Sequence, residues 1–182
     1  MSGCVFRLEC KPISVNFSPC KKPSRSGTPF GKLLREGFLQ GEKFTEIGLH
    51  SNLNTQPDIN FLHEQQAHIV PLAHVQKDGI ALYMSRALSR ASQPGPAFVS
   101  FDIDGCAEAY APAVSAPSAD GFTPRQAVEA AFLAGQHEQV RLFEVVELNP
   151  LYDRDNQTAR LGATIIAAFL TGVAALERAG RR

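Results

Sequence analysis

Pro96-Ala97-Phe98-Val99-Ser100-Phe101-Asp102-Ile103-Asp104 joins an apolar run to a pair of carboxylates. The run is short, rich in aromatic and β-branched residues and preceded by Pro94-Gly95, so it reads as a buried strand. Side chains alternate along a strand, which predicts Asp102 and Asp104 on one side and Ile103 on the other. Two anionic groups held together call for a compensating cation. A divalent metal bound by oxygen ligands meets that demand, and the carboxyl end of a strand in an open α/β sheet is a usual address for it.

Strand and helix signals alternate on both sides of this stretch. Ile13-Ser14-Val15-Asn16-Phe17 reads as a strand followed by a polar loop from Ser18 to Gly27, and Thr28-Pro29 opens a helix with Phe30, Leu33 and Leu34 on one face. Phe44 to Leu49 is a second strand, Pro57 to Gln66 has helical spacing, and His68-Ile69-Val70 is a third strand. The spacing predicts one helix from Lys77 to Ser92. Beyond the acidic strand, Thr123-Pro124 starts a helix to about Gly135, Val140 to Val146 is a strand, and Thr158 to Arg178 is a packing helix rich in Ala, Leu and Ile. Repeated βα units of this kind predict a mainly parallel sheet with helices on both faces, a three-layer α/β/α architecture.

The 182 residues fit a single domain over 1–182. Eighteen basic residues against 18 acidic ones leave no net field to draw nucleic acid or an anionic membrane, so neither is expected as a partner. Cysteines 4, 10, 20 and 106 contain no CxxC pair, which argues against a disulfide framework and for a reducing, cytoplasmic setting. No membrane span and no apolar signal core are expected. The abrupt change at Lys11-Pro12-Ile13 sets residues 1–10 apart as a candidate non-native leader.

Arg141-Leu142-Phe143-Glu144-Val145-Val146-Glu147-Leu148-Asn149-Pro150 ends, like the first stretch, with an acid at a strand terminus. Taken with Ser100 to Asp104, Tyr110-Ala111-Pro112 and Ser115-Ala116-Pro117, it resembles the arginase, agmatinase and formimidoylglutamase ureohydrolases. Leu151 to Leu161, Ser26-Gly27-Thr28-Pro29-Phe30 and Glu46 to Asn52 look most like the formimidoylglutamase branch. The resemblance runs from about Lys11 to the C-terminus. It implies an arginase-like fold, here incomplete at the N-terminus, with two manganese ions at the strand carboxyl ends. It also implies hydrolysis of a linear amidine, in this branch formimidoyl-glutamate and water giving glutamate and formamide during histidine breakdown. Carried over by position, Asp102 and Asp104 are the metal ligands and Glu147 holds the amidinium. Arg154 and Arg160 are candidates for the substrate carboxylates, because guanidinium forks match them. The five histidines show no ligand spacing; His50, just after a strand, is the candidate for the pocket edge.

The chain departs from the pattern at specific positions. Where the family carries Asp-Ala-His-x-Asp, Ser18, Cys20 and Lys22 stand for the Asp, the His and the second Asp, and a glycine-His segment expected earlier is missing. Arg25 stands where a His precedes the Ser-Gly-Thr-Pro motif, Ala107-Glu108 replaces an Asp-Pro, and Ala113 replaces a Gly. Two carboxylates do not enclose two divalent ions, and Lys22 would add like charge. The function that the resemblance implies is metal-dependent amidine hydrolysis. The alternative is a catalytically inactive family member that acts by binding or assembly, as a homo-oligomer or with a full-length family partner.

Overall fold

The computed structural model describes residues 4–8, 29–50, 56–92 and 95–180, the first of these by its backbone. The strand reading of Ile13–Phe17 and the positions Ser18, Cys20, Lys22 and Arg25 lie outside the described residues. Five strands form one sheet: β1 (Cys4–Leu8), β2 (Thr45–Leu49), β3 (His68–Pro71), β4 (Ala97–Asp102) and β5 (Val140–Val146). Their order is β3-β2-β1-β4-β5 and every pairing is parallel. Thus residues 4–8 of the segment read as a leader occupy the central strand, with Phe6 opposite both Thr45 and Val99.

The helices are α1 (Pro29–Arg35), α2 (Gln56–Glu64), α3 (Leu72–Asp78), α4 (Ile80–Ala91), α5 (Pro124–Gly135) and α6 (Gln157–Gly180). Strand alternation sorts them into two layers. Ile47, Val99 and Phe101 pack with Val75, Ile80, Met84, Ala130 and Ile165 of α3 to α6, whereas Ile69 and Phe98 pack with Phe30, Leu34, Phe61 and Leu62 of α1 and α2. This is the three-layer α/β/α arrangement that the sequence implies, with β2 and β4 buried on both sides and the edge strands β3 and β5 partly exposed.

Two expectations are corrected. The single helix over Lys77–Ser92 is instead α3 and α4, separated at Gly79, whose φ of +86° suits a residue without Cβ and breaks the helical run. The reading that no segment could span a membrane also fails by length and composition, because α6 with the 3-10 turn before it, Arg154–Gly180, is long and apolar enough by those two measures. Its Ala, Gly and Thr content disguises an uncharged run of sixteen residues, Leu161 to Leu176.

Helix starts agree with local chemistry. Thr123 accepts from Gln126 N while the Gln126 side chain returns to Thr123 N, a complete capping box with Pro124 in the first turn. Asp153 caps α6, its two carboxylate oxygens accepting from Thr158 N and Ala159 N at 2.9 Å each. Burial acts to raise the Asp153 pKa, but the hydrogen bonds from Thr158 and Ala159 and the nearby Arg160 bring it below the ordinary value of 3.8.

Candidate functional site

The site forms at the carboxyl ends of β4 and β5. β4 ends at Asp102, and the chain then turns through the 3-10 segment Ile103–Gly105. Asp104 is therefore brought beside Asp102 by a turn and not by strand alternation, which corrects the expected geometry while keeping the pair together. Asp102 Oδ1 accepts from the Asp104 backbone N–H at 2.9 Å, and both side chains are buried, at 1% and 0% exposure. That hydrogen bond pins one oxygen of Asp102 and fixes the turn.

The loop from Cys106 to Gly121 passes over these strand ends and is tied down at several points. Cys106 bridges to Phe122, Val114 bridges to Leu148, and Asn149 N donates to Ala113 O at 2.9 Å. Ala113 N donates to Thr158 Oγ1 of α6 at 3.0 Å, and Gln157 Nε2 donates to Ala109 O at 2.9 Å. Gly121 is needed for this close approach, since a Cβ there would lie 2.4 Å from Ala107 N and 2.7 Å from Gly105 O.

The loop delivers Ser115 between two acids that follow different strands, Asp104 after β4 and Glu147 after β5. Its Oγ lies 2.9 Å from Glu147 Oε2 and 3.2 Å from Asp104 Oδ2. A hydroxyl carries one proton and can donate to only one carboxylate at a time, so the arrangement gathers negative charge that favours a cation. Glu147 is held just past β5 at φ +69°, an unfavoured backbone for a residue with a Cβ and long side chain. The sequence singled out Asp102, Asp104 and Glu147, and the structure brings them to one cluster. It omitted Ser115, whose only signal was its place in Ser115-Ala116-Pro117.

Cys106 follows the turn and is fully buried. Burial and then the charge of Asp102 push its thiol up to about 12, so it stays protonated and is not a nucleophile near neutrality. His50 follows β2, and its Nδ1 lies 2.6 Å from Gly48 O. β1 separates β2 from β4, so the His50 and Asp102 strand ends are on the order of 10 Å apart. Arg154 is exposed in a 3-10 turn and Arg160 is exposed in the first turn of α6. Arg160 acts electrostatically on Asp153. A groove of about 630 Å³ between α5 and α6, lined by Val128, Phe132 and Ala168, shares no residue with the carboxylate cluster.

Two buried carboxylates at one turn fit a hard divalent cation in donor type. They stop at two: among the described residues no group of three or more His, Cys, Asp and Glu side chains is placed to hold a metal ion.

Comparison with known proteins places this geometry. The profile of the Arginase family matches residues 17–172. Mitochondrial agmatinase of Gallus gallus is 30% identical over 145 residues, 79% of this chain and 42% of its own length. Formimidoylglutamase of Halalkalibacterium halodurans is 26% identical over 148 residues, 81% of this chain and 46% of its own. The crystal structure of Trypanosoma cruzi formiminoglutamase with Mn2+ superposes with a TM-score of 0.87 at 26% identity, covering 95% of this chain and 57% of that one. The chain thus spans about half the length of the curated relatives it matches.

Proposed function

Since this chain belongs to the arginase family, we propose that its carboxylate cluster serves metal-dependent hydrolysis of the C–N bond of a linear amidine, with formimidoyl-glutamate as the substrate. The observation that carries this reading is the continuous contact from Asp102 through Asp104 and Ser115 to Glu147 at the strand carboxyl ends. Asp102 and Asp104 would hold a divalent cation, and manganese is the ion present in the Trypanosoma cruzi relative. When bound, such an ion lowers the pKa of water so that hydroxide is available near neutrality.

The chain's own groups do the rest. Glu147 offers its carboxylate to the planar amidinium, and Ser115 orients that carboxylate through Oε2. Arg154 and Arg160 would take the substrate's two carboxylates at the rim, with His50 at the far edge. Water adds at the amidine carbon, the C–N bond to the glutamate nitrogen breaks, and that nitrogen leaves protonated as glutamate while formamide is released. The amino acid half is thereby recognised by cations and the amidine half by anions, a charge division that matches this substrate.

The experiment is to incubate the chain with manganese and formimidoyl-glutamate, with agmatine and 4-guanidinobutyrate in parallel, and to measure released glutamate, formamide and urea. Glutamate release that stops on chelation is expected; manganese bound without turnover of any of the three would overturn the proposal. One observation favours a second reading, namely Ser18, Cys20 and Lys22 at the positions where the family pattern has ligands. On that reading the chain is an inactive member acting by assembly. Failure to retain any manganese after gel filtration would support it.

A further inference from the structure

The groove between α5 and α6 pairs an apolar floor with two opposite charges. Arg125, Val128, Glu129 and Phe132 line it from α5 at i, i+3, i+4 and i+7, so one stripe of that helix presents a cation, an anion and two apolar side chains. Ala168 and Thr171 of α6 form the facing wall. Thr171 Oγ1 donates to Ala167 O at 2.8 Å within its own helix, which engages the hydroxyl proton and leaves the wall mainly apolar. Glycines fix how closely the helices meet, since a Cβ at Gly172 would lie 2.2 Å from Phe132 O and one at Gly135 would lie 2.1 Å from Phe169 O. From Phe132, beside that contact, the groove runs about 10 Å along α5 to Arg125. Its volume of about 630 Å³ is that of a small-molecule site.

The two charges indicate what the groove takes. A basic and an acidic residue four apart on a helix are neighbours, and Lys32 and Glu36 of α1 meet at 3.8 Å in this order. Among the described residues, Arg125 and Glu129 form no ion pair although their order and spacing are the same, and both are exposed. Arg125 also stands in the first turn of α5, which holds no acidic residue, where the helix dipole favours an anion over a cation. A ligand carboxylate beside Arg125 therefore meets both the guanidinium and the dipole. A ligand ammonium beside Glu129, about 6 Å further along the axis, meets the remaining charge. A fatty acid or an apolar amine would satisfy one of the two and leave the other open. Ile166 and Leu170 are exposed on α6 as well, but outside the groove and within a run, Leu161 to Leu176, that carries no charge to select a ligand.

We infer that this groove binds a small zwitterion with an apolar body, the chemistry of an aromatic α-amino acid, with its carboxylate on Arg125, its ammonium on Glu129 and its ring against Val128, Phe132 and Ala168. Phe132 is partly buried and offers a ring for an aromatic partner to stack on. Adjacent opposite charges on one carbon match the two rim groups, which lie on one helix face a single turn apart. The groove shares no residue with the carboxylate cluster at the ends of β4 and β5, so this binding does not depend on the hydrolytic reading of that cluster.

The test is calorimetric titration of the 182-residue chain with L-phenylalanine, with 3-phenylpropionate, which lacks the ammonium, and with phenethylamine, which lacks the carboxylate. L-Phenylalanine should bind at one site per chain, and each analogue about tenfold or more weakly, as for one lost hydrogen bond between charged groups. Arg125→Gln and Glu129→Gln should each weaken L-phenylalanine by about that factor. Arg125→Gln should leave phenethylamine unaffected, and Glu129→Gln should leave 3-phenylpropionate unaffected. Thr171→Phe should fill the groove and abolish binding. Melting temperatures of these variants should stay near that of the parent, since all three side chains are exposed. Absence of saturable L-phenylalanine binding at millimolar concentration overturns the proposal, as does binding that survives Thr171→Phe. Equal binding of L-phenylalanine and either analogue overturns the zwitterion. A homodimer seen by light scattering that Thr171→Phe dissociates overturns it in favour of a second copy in the groove.

Discussion

The hydroxyl of Ser115 stands 2.9 Å from Oε2 of Glu147, although 32 residues separate them in the chain. The contact locks a loop residue to a carboxylate whose own backbone sits at φ +69°. Ser115 is thus a positioning residue for Glu147. Ser115→Ala should lower kcat/KM for formimidoyl-glutamate by about tenfold, as expected for one hydrogen bond to a charged group at ~1.5 kcal/mol, with Ser115→Thr retaining most of it. Equal kinetics in the alanine variant would remove Ser115 from the mechanism.

Asp102 and Asp104 should govern the response to manganese. With metal at about a hundred times its Kd, the chain gains ~2.7 kcal/mol of stability, seen as a rise in melting temperature. Asp102→Asn and Asp104→Asn should each abolish most of that rise. A variant that keeps the full manganese shift shows that its carboxylate is not a ligand.

Acid should act through Asp153. Its pKa lies below 3.8 in the folded chain, so the folded state binds the proton less readily than the unfolded state. The stability it contributes is present above the unfolded value and is lost as pH falls through the folded one. Asp153→Ala should therefore lower the melting temperature at pH 7, with the difference shrinking below about pH 4. Melting curves at pH 7, 5 and 3 check this, and a gap that widens in acid would be contrary to it.

Alkali acts in the other direction through Cys106. Its thiol is pushed from 9.0 to about 12 by burial and by Asp102, so the folded state keeps the proton. This contribution is complete below pH 9 and is lost as pH rises from 9 toward 12. Iodoacetamide at pH 8 should leave Cys106 unmodified in the native chain and modify it after denaturation, read by peptide mass spectrometry. Labelling of Cys106 at native rates equal to the denatured ones would contradict its burial.

Gly121→Ala should disturb the site from a distance. The added methyl meets backbone atoms of Ala107 and Gly105, which cannot rotate away. A loss of ~1–3 kcal/mol is expected, together with weaker manganese binding, because the loop that presents Ser115 must shift. Unchanged melting and metal affinity would show that the loop adapts freely.

Much of this architecture was legible in one dimension because it depends on short-range patterns. The βα alternation, the Thr123-Pro124 helix start and the apolar run ending in Asp102 follow from propensity and period, which local sequence carries. The family words from Ser100 to Leu161 pointed to Asp102, Asp104 and Glu147. The break at Gly79 escaped because a single glycine between two apolar-periodic segments leaves the helical period nearly intact. The turn at Ile103 escaped because Asp102-Ile103-Asp104 continues the polar-apolar alternation of a strand, and no Gly or Pro between the two acids marks where the strand gives way to a turn.

By itself, the sequence determined the class of fold, the acidic strand ends and membership in a family of hydrolases, since each is written in contiguous residues. Only the tertiary structure decided that Ser115 joins Asp104 to Glu147, that residues 4–8 take the central strand, and that α6 turns an apolar stripe outward at the edge closed by β5. The reason is physical. Loop closure and packing bring together groups that no local periodicity links, and an apolar helix reads the same in sequence whether one side or both are covered.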